Sequence, residues 1–244
     1  SFYCPSTLSH ARVKKLFTKE PETIDWINKF INKDKIIFWD IGANIGVYSI
    51  YAGIKYENIE IISFEPSTSN TRLLSRNIFI NKLQNKIKIF QLALTDNENI
   101  ISTFKETNFQ EGGSLSTFKE NFDYNGNKIL NNKIENEYKI FGTSIDFIIK
   151  NNILNIPDYL KCDVDGIEHY ILNGASTLLE SPRLKEISIE INPKFIHQFD
   201  EVTKKLYQNN FKIVSYNDKK IISEEFFLKQ KPNGGNILFK KFEF

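Results

Sequence analysis

Residues 36–46 read Ile-Ile-Phe-Trp-Asp-Ile-Gly-Ala-Asn-Ile-Gly: an apolar run that ends in a turn carrying Gly42 and Gly46. A second apolar run, Glu60-Ile61-Ile62-Ser63-Phe64-Glu65, is stopped by Pro66. Glycines after a strand let the backbone turn tightly and bring its amides close to a ligand. The helix expected from about Gly46 to Ala52 then points its positive end at that ligand. Glu65, at a strand end roughly 20 residues beyond the glycines, is placed to accept hydrogen bonds from both hydroxyls of a ribose. The glycine turn alone fits a strand-turn-helix without a ligand. Together with Asp40 and Glu65 it predicts an adenosine-containing cofactor.

Dinucleotide binders use G-x-G-x-x-G, whose middle glycine makes room for a pyrophosphate. Here the pattern is Asp40-x-Gly42-x-Asn44-x-Gly46, without that glycine and with an acid ahead of the turn. The acid repels a pyrophosphate but suits a cationic amino-acid moiety, which favours S-adenosylmethionine over NAD.

Strand-like runs at 36–40, 60–65, 86–91, 159–164 and 186–192 alternate with helical patterns. That alternation argues for an α/β fold with a mostly parallel sheet covered on both faces. Helices are expected over Ser67–Ile80, where Leu73, Leu74, Asn77 and Ile78 share one side, over Glu168–Leu179 and near 199–209. Phe211–Ser215 and Asn236–Lys240, the latter after a turn at Pro232–Gly235, read as a hairpin-like pair that departs from a plain dinucleotide fold. Thr23–Ile31 carries Ile24, Ile27, Phe30 and Ile31 at helical spacing, so residues 1–35 are expected to pack on the sheet or to lid the cofactor. Residues 96–142 are polar, asparagine-rich and contain Gly112-Gly113-Ser114. A long insertion there reads either as a substrate-contacting loop or as an exposed elaboration with short strands near 100–104 and 138–141.

With 244 residues, 41% hydrophobic and 25% charged, the chain is long enough for one domain with a full core. Its 32 basic and 30 acidic residues give no general attraction to nucleic acid. Cys4 and Cys162 cannot form a disulfide framework, and no Cys/His cluster has zinc spacing, so no metal is expected. No apolar run approaches the roughly 18 residues of a membrane span and the start has no signal-peptide pattern, so a soluble cytoplasmic protein is expected. The absence of methionine, even at the start, reads as a processed chain or an excised part of a longer polypeptide.

Lys161-Cys162-Asp163-Val164-Asp165-Gly166-Ile167-Glu168 is the second polar concentration in apolar sequence. Alternation puts Lys161 and Asp163 on one strand face, and Ser188, Glu190 and Asn192 on one face of the next strand. If those strands are neighbours, Lys161 and Glu190 can pair while Asp163 reaches the carboxyl edge, where ligands bind in open α/β sheets. Asp163, Glu190 and Asn192 also offer oxygen ligands to Mg²⁺, but the ammonium of Lys161 competes with a cation, and a Lys161–Glu190 ion pair is the better reading.

Taken in order, Asp40–Gly46, Phe64-Glu65-Pro66, Gly112-Gly113-Ser114-Leu115, Ser144-Ile145-Asp146, Lys161–Glu168, Leu172-Asn173-Gly174-Ala175 and Glu190-Ile191-Asn192 resemble the FkbM family of S-adenosylmethionine-dependent methyltransferases. The resemblance spans roughly residues 36–192 and departs at Asp165, where the family more often has Glu. It implies a class I methyltransferase fold, a Rossmann-like seven-stranded sheet with an antiparallel last strand, over 36–244. It also implies O-methylation of a sugar or other small-metabolite hydroxyl. Carried over, Asp40, Gly42, Asn44 and Gly46 hold the methionine part, Glu65 the ribose, Ala93, Leu94 and Thr95 the adenine, and Asp163 faces the methyl-transfer site. Gly113, Ser114, Glu190 and Asn192 are the expected acceptor contacts.

A hydroxyl acceptor needs a base within hydrogen-bond reach. Asp163, Glu168, His169 and His197 are the candidates, although each histidine taken alone reads rather as an ordinary surface residue. The rival readings are an NAD(P)-dependent oxidoreductase and a non-catalytic cofactor-binding scaffold that partners another protein. The expected partner is a small-molecule or saccharide acceptor, and the oligomeric state is left open.

Overall fold

The computed structural model describes residues 1–31, 34–216, 219–220 and 235–242. Five strands form its parallel centre: β1 (Ile36–Ile41), β2 (Ile59–Phe64), β3 (Ile87–Phe90), β8 (Tyr159–Cys162) and β9 (Glu186–Ile191). β10 (Phe211–Tyr216) and β12 (Gly235–Lys241) complete the expected seven. The two-residue β11 (Lys219–Lys220) adds an eighth strand at the edge, giving the order β11-β10-β12-β9-β8-β1-β2-β3. β12 runs antiparallel to both its neighbours. The turn expected at 232–234 lies outside the described residues.

Every residue of β1 is buried, as befits a central strand covered on both faces. Ile37, Trp39 and Ile41 pack with the core that holds α5 (Ile145–Lys150), α6 (Glu168–Asn173), α7 (Ser176–Glu180) and α8 (Ile196–Gln208). Ile36 and Phe38 pack on the other side with α2 (Pro21–Ile27), α3 (Val47–Lys55) and α4 (Thr68–Ile80). α2 opens with Pro21 in its first turn and is shorter than the expected Thr23–Ile31 helix, yet its continuation packs firmly, with Phe30 stacked 3.9 Å from the ring of Tyr159. Before it, α1 (Thr7–Lys14) starts with a reciprocal Ser6–Ser9 capping box.

One of these expectations is corrected. The single helix over Glu168–Leu179 is two, α6 and α7, separated at Gly174-Ala175. The backbone passes so close to Thr95 here that a Cβ on Gly174 would lie 2.4 Å from the Thr95 carbonyl oxygen. The insertion contains the strands expected near 100–104 and 138–141, each somewhat longer than expected. β5 (Ile100–Glu106), β6 (Ser116–Phe118) and β7 (Asn136–Thr143) form a second sheet with β4 (Ala93–Leu94), in the order β4-β7-β5-β6. Its apolar side buries Phe104 and Phe118 against Ile167. Among the described residues no helix is long and apolar enough to cross a membrane.

Candidate active site

After β3 the chain crosses to the far side of β1, so β1 and β8 are neighbours whose outgoing connections part in opposite directions. Such a switch point leaves a crevice at the carboxyl ends of the strands. Gly42 sits there with φ of 78°, and a Cβ on it would lie 1.8 Å from the carbonyl oxygen of Asp163. The turn is held by Gly42 and Ala43 amides, both donating to the Phe64 carbonyl at 3.0 Å. Asn44, also at positive φ, leads to Gly46, which caps α3 in the left-handed region.

The crevice opens into a cavity with about 120 Å³ of water-accessible space, open in part to solvent. Toward β2 and β4 its wall is Phe64, Glu65, Pro66, Ala93 and Leu94, with Phe104 and Phe118 from the second sheet, Ile167 packed against them, and Ile171. Glu65 receives the Asn44 amide at 2.7 Å and the Ser67 amide at 2.9 Å. Burial nonetheless raises its carboxyl to about 7.

Asp163, Asp165 and Glu190 line the other end. Lys161 is fully buried and donates to Asp163 Oδ2 at 2.9 Å. Burial opposes charge on both, but the mutual attraction outweighs it: Asp163 is held at about 2, and Lys161, helped by Asp40 and Glu20, stays protonated. Glu190 is pushed the other way, by burial and by the Asp163 charge, and it hydrogen-bonds Asp163 as the protonated partner. Two adjacent carboxyls thus share one negative charge. Asp165 receives the Leu115 amide at 2.6 Å and is raised by burial to about 6.

The expected Lys161–Glu190 ion pair is therefore replaced by Lys161–Asp163. The reason is register: Lys161 faces Ser188 on β9, two residues short of Glu190, and Asp40 on β1.

Gly112–Leu115 roofs the cavity. The Gly113 carbonyl receives Asn44 Nδ2 at 2.6 Å and Asn70 Nδ2 at 3.2 Å, the Gly112 amide donates to Asn70 Oδ1, and Arg12 Nε donates to the Gly112 carbonyl. Gly113 and Ser114 accordingly line the cavity, as do Gly42, Asn44, Glu65, Ala93, Leu94, Asp163 and Glu190.

The remaining expected site residues lie outside its lining. Asp40 is buried behind the glycine turn, receives Ser49 Oγ at 2.6 Å and is raised by burial, so it supports the turn from below. Gly46 packs on Leu74, and Thr95 turns to Asp96, donating at 3.0 Å. Glu168 is fully buried, its oxygens receiving the Val164 amide at 3.0 Å, the Gly166 amide and Gln198 Nε2. It clamps the turn that carries Asp163 and Asp165, a structural task that leaves no oxygen facing an acceptor. His169 is not a surface residue: it is buried beside Tyr170, Phe195 and His197, at ring distances of 4.1, 5.7 and 5.4 Å, and burial lowers it to about 4. His197 sits with it, outside the cavity. Asn192 Nδ2 holds the insertion, donating to Asn125 Oδ1 at 2.9 Å and the Tyr124 carbonyl at 3.2 Å, and so joins no oxygen cluster with Asp163 and Glu190.

Reading the sequence missed Arg12, Lys19, Asn70, Phe104, Phe118 and Asp165 as cavity residues. Arg12 and Lys19 carry no local signal, since their place depends on α1 docking to the roof. Asn70 is buried on a helix whose inward stripe was visible, and a buried amide there was the one available hint.

The residues fit S-adenosylmethionine by the chemistry of their groups: an apolar slot for a flat base, a carboxylate at a strand end for ribose hydroxyls, and, at the far end, cations and carboxylates side by side for a zwitterion. Comparison with known proteins agrees. The chain is similar to methyltransferase sdnD of Sordaria araneosa, 26% identical over 151 residues, and the match takes in 55% of this chain and 58% of that protein. The chain thus spans little more than half the length of this curated relative. Solved structures share the fold: precorrin-6y C5,15-methyltransferase from Geobacter metallireducens GS-15 (TM-score 0.51, 14% identity, 94% of this chain and 92% of that one), and an rRNA methylase from Streptococcus thermophilus (TM-score 0.50, 10% identity, 91% and 95%). Residues 40–213 match the methyltransferase FkbM domain. That match runs from the acid ahead of the glycine turn to the strand after α8, and on it the chain belongs to the FkbM methyltransferase family, whose cofactor is S-adenosylmethionine.

Proposed function

We propose that this chain transfers a methyl group from S-adenosylmethionine to a hydroxyl of a sugar or glycoconjugate precursor. The observation that carries the reading is the group of carboxyls Asp163, Asp165 and Glu190 in the cavity lining, with the buried Lys161 donating to Asp163 at 2.9 Å. Asp163, Asp165, Glu190 and Ser114 together suit an acceptor rich in hydroxyls. The family resemblance supports the saccharide class.

When bound, the cofactor supplies a methyl group on a sulfonium, open to in-line displacement. Most of the rate then comes from holding the acceptor oxygen in line. Asp163 accepts the acceptor's O–H, while Lys161 and Glu190 fix its orientation. With both donating to it, Asp163 is a weak base. That suffices, because the hydroxyl proton becomes strongly acidic as the new O–C bond forms and is transferred late. The N-terminal segment up to residue 31 acts as a lid through Arg12 and Lys19, and the insertion contributes the roof and the apolar wall.

Glu65 links cofactor binding to pH. Its carboxyl, near 7 in the free protein against an ordinary 4.5, is largely protonated below that value. Ribose hydroxyls donate to the ionised form, so binding releases a proton and affinity rises as pH passes through 7.

The test is transfer of a tritiated methyl group from S-adenosylmethionine to nucleotide sugars and oligosaccharides, with total RNA in parallel. Alkali-stable label in a saccharide is the expected result, since a methyl ether survives base and a methyl ester does not. Label in RNA alone would overturn the acceptor class, and cofactor binding without turnover on any acceptor would favour the scaffold reading.

A further inference from the structure

Arg12 and Lys19 lie ahead of the residues matched by the family, 40–213, yet both line the cavity. Both also line a side pocket that continues past Gly42, Asn44 and Val47, at the start of α3. This is the end of the site remote from the Ala93–Leu94 slot. Each cation also feels a carboxylate of the cavity: Asp163 acts weakly on Lys19, whose main partner is Glu20, and Arg12 acts weakly on Asp165. Arg12 uses Nε to hold the roof at Gly112 and, among the described residues, makes no ion pair. Lys19 stands at the mouth with its side chain 56% exposed, bonded to Glu20 at 2.6 Å.

Cations beside carboxylates, next to a glycine turn, complement a free α-amino acid, which bears both charges on one carbon. We infer that Arg12 and Lys19 hold the α-carboxylate of the methionine moiety, so that the N-terminal segment completes the cofactor site. An anionic group on the acceptor is the other source of the same chemistry. The side pocket argues for the cofactor, because it runs along the glycine turn from Gly42 to Asn44 and on to Val47 and Tyr48; Lys161 and Asp163 also line it, and Glu190 does not.

The inference rests on the cofactor assignment above, and the test separates the two. S-adenosylhomocysteine and 5′-methylthioadenosine share the adenosine, but only the first has the amino-acid end. Both are titrated calorimetrically into the wild type, Arg12→Gln and Lys19→Gln. In Arg12→Gln the affinity for S-adenosylhomocysteine is expected to fall roughly ten- to hundredfold, as for loss of a charge-assisted pair. In Lys19→Gln the fall is about threefold to tenfold, lessened by solvent screening. 5′-Methylthioadenosine binding stays within about twofold in both, which also reports an intact fold. Lys19→Gln leaves the roof contact of Arg12 untouched and separates charge from lid anchoring. An equal loss for both ligands, or no loss for either, overturns the inference, the latter pointing to an acceptor anion. Failure of the wild type to bind either ligand overturns the cofactor assignment instead.

Discussion

Gly42→Ala is expected to abolish S-adenosylhomocysteine binding and to destabilise the fold. The added Cβ would lie 1.8 Å from the Asp163 carbonyl oxygen and 2.9 Å from its carbonyl carbon, both backbone atoms of the adjoining strand end. A flexible side chain can step aside, but here β1 or β8 must move. The φ of 78° adds strain for any residue with a Cβ. Overpacking and strain together are expected to cost about 3 to 5 kcal/mol, lowering the melting temperature by roughly 10 °C. Thermal unfolding and calorimetry on one preparation check both parts. A variant that melts and binds like the wild type would show that the turn tolerates a side chain and that its closeness to Asp163 is not required.

The second large effect is on turnover alone. Asp163→Asn keeps the shape and an oxygen for Lys161 but removes the charge that orients the acceptor and takes its proton. Turnover is expected to fall about 10² to 10⁴-fold, while affinity for S-adenosylhomocysteine changes only a few-fold. Glu190 loses the anion that holds its proton and drifts toward an ordinary carboxyl, so it partly replaces the missing charge beside Lys161. Glu190→Gln alone is accordingly the milder variant, since a carboxamide still donates to Asp163. An active Asp163→Asn protein would remove that residue from the chemistry.

Those two residues also mark where the chain is easiest to read. From Asp40 to Glu65 the site is local: one strand, its turn, one helix and the next strand place the groups, and the apolar period and two glycines suffice to locate them. Asp163 and Glu190 follow from alternation on two strands. Alternation is silent on register, however, so it paired Lys161 with Glu190 when Ser188 faces Lys161. The same limit explains Glu168, His169, His197 and Asn192. Their chemistry is suited to catalysis, and their sequence positions are close to Asp163 for Glu168 and His169 and to Glu190 for Asn192 and His197. Their orientation is set by Phe195 and Gln198 at the start of α8 and by the Tyr124 carbonyl and Asn125 side chain of the insertion, contacts that no local pattern encodes. The second sheet was half visible because β5 and β7 pair over their full length, whereas β4 and β6 are too short for a periodic signal. Arg12 and Lys19 were out of reach for a related reason. Ser6 and Arg12 bind the Glu111 and Gly112 carbonyls across about a hundred residues of chain, which no local pattern encodes.

The most direct test of the account is a calorimetric titration of the purified protein with S-adenosylhomocysteine at pH 6 and pH 8, with NADH as a separate titrant. Micromolar binding of S-adenosylhomocysteine is expected, strengthening up to about tenfold between the two pH values as Glu65 gives up its proton, with no binding of NADH. Binding of NADH in its place, or of neither ligand at either pH, would contradict the assignment of the cavity.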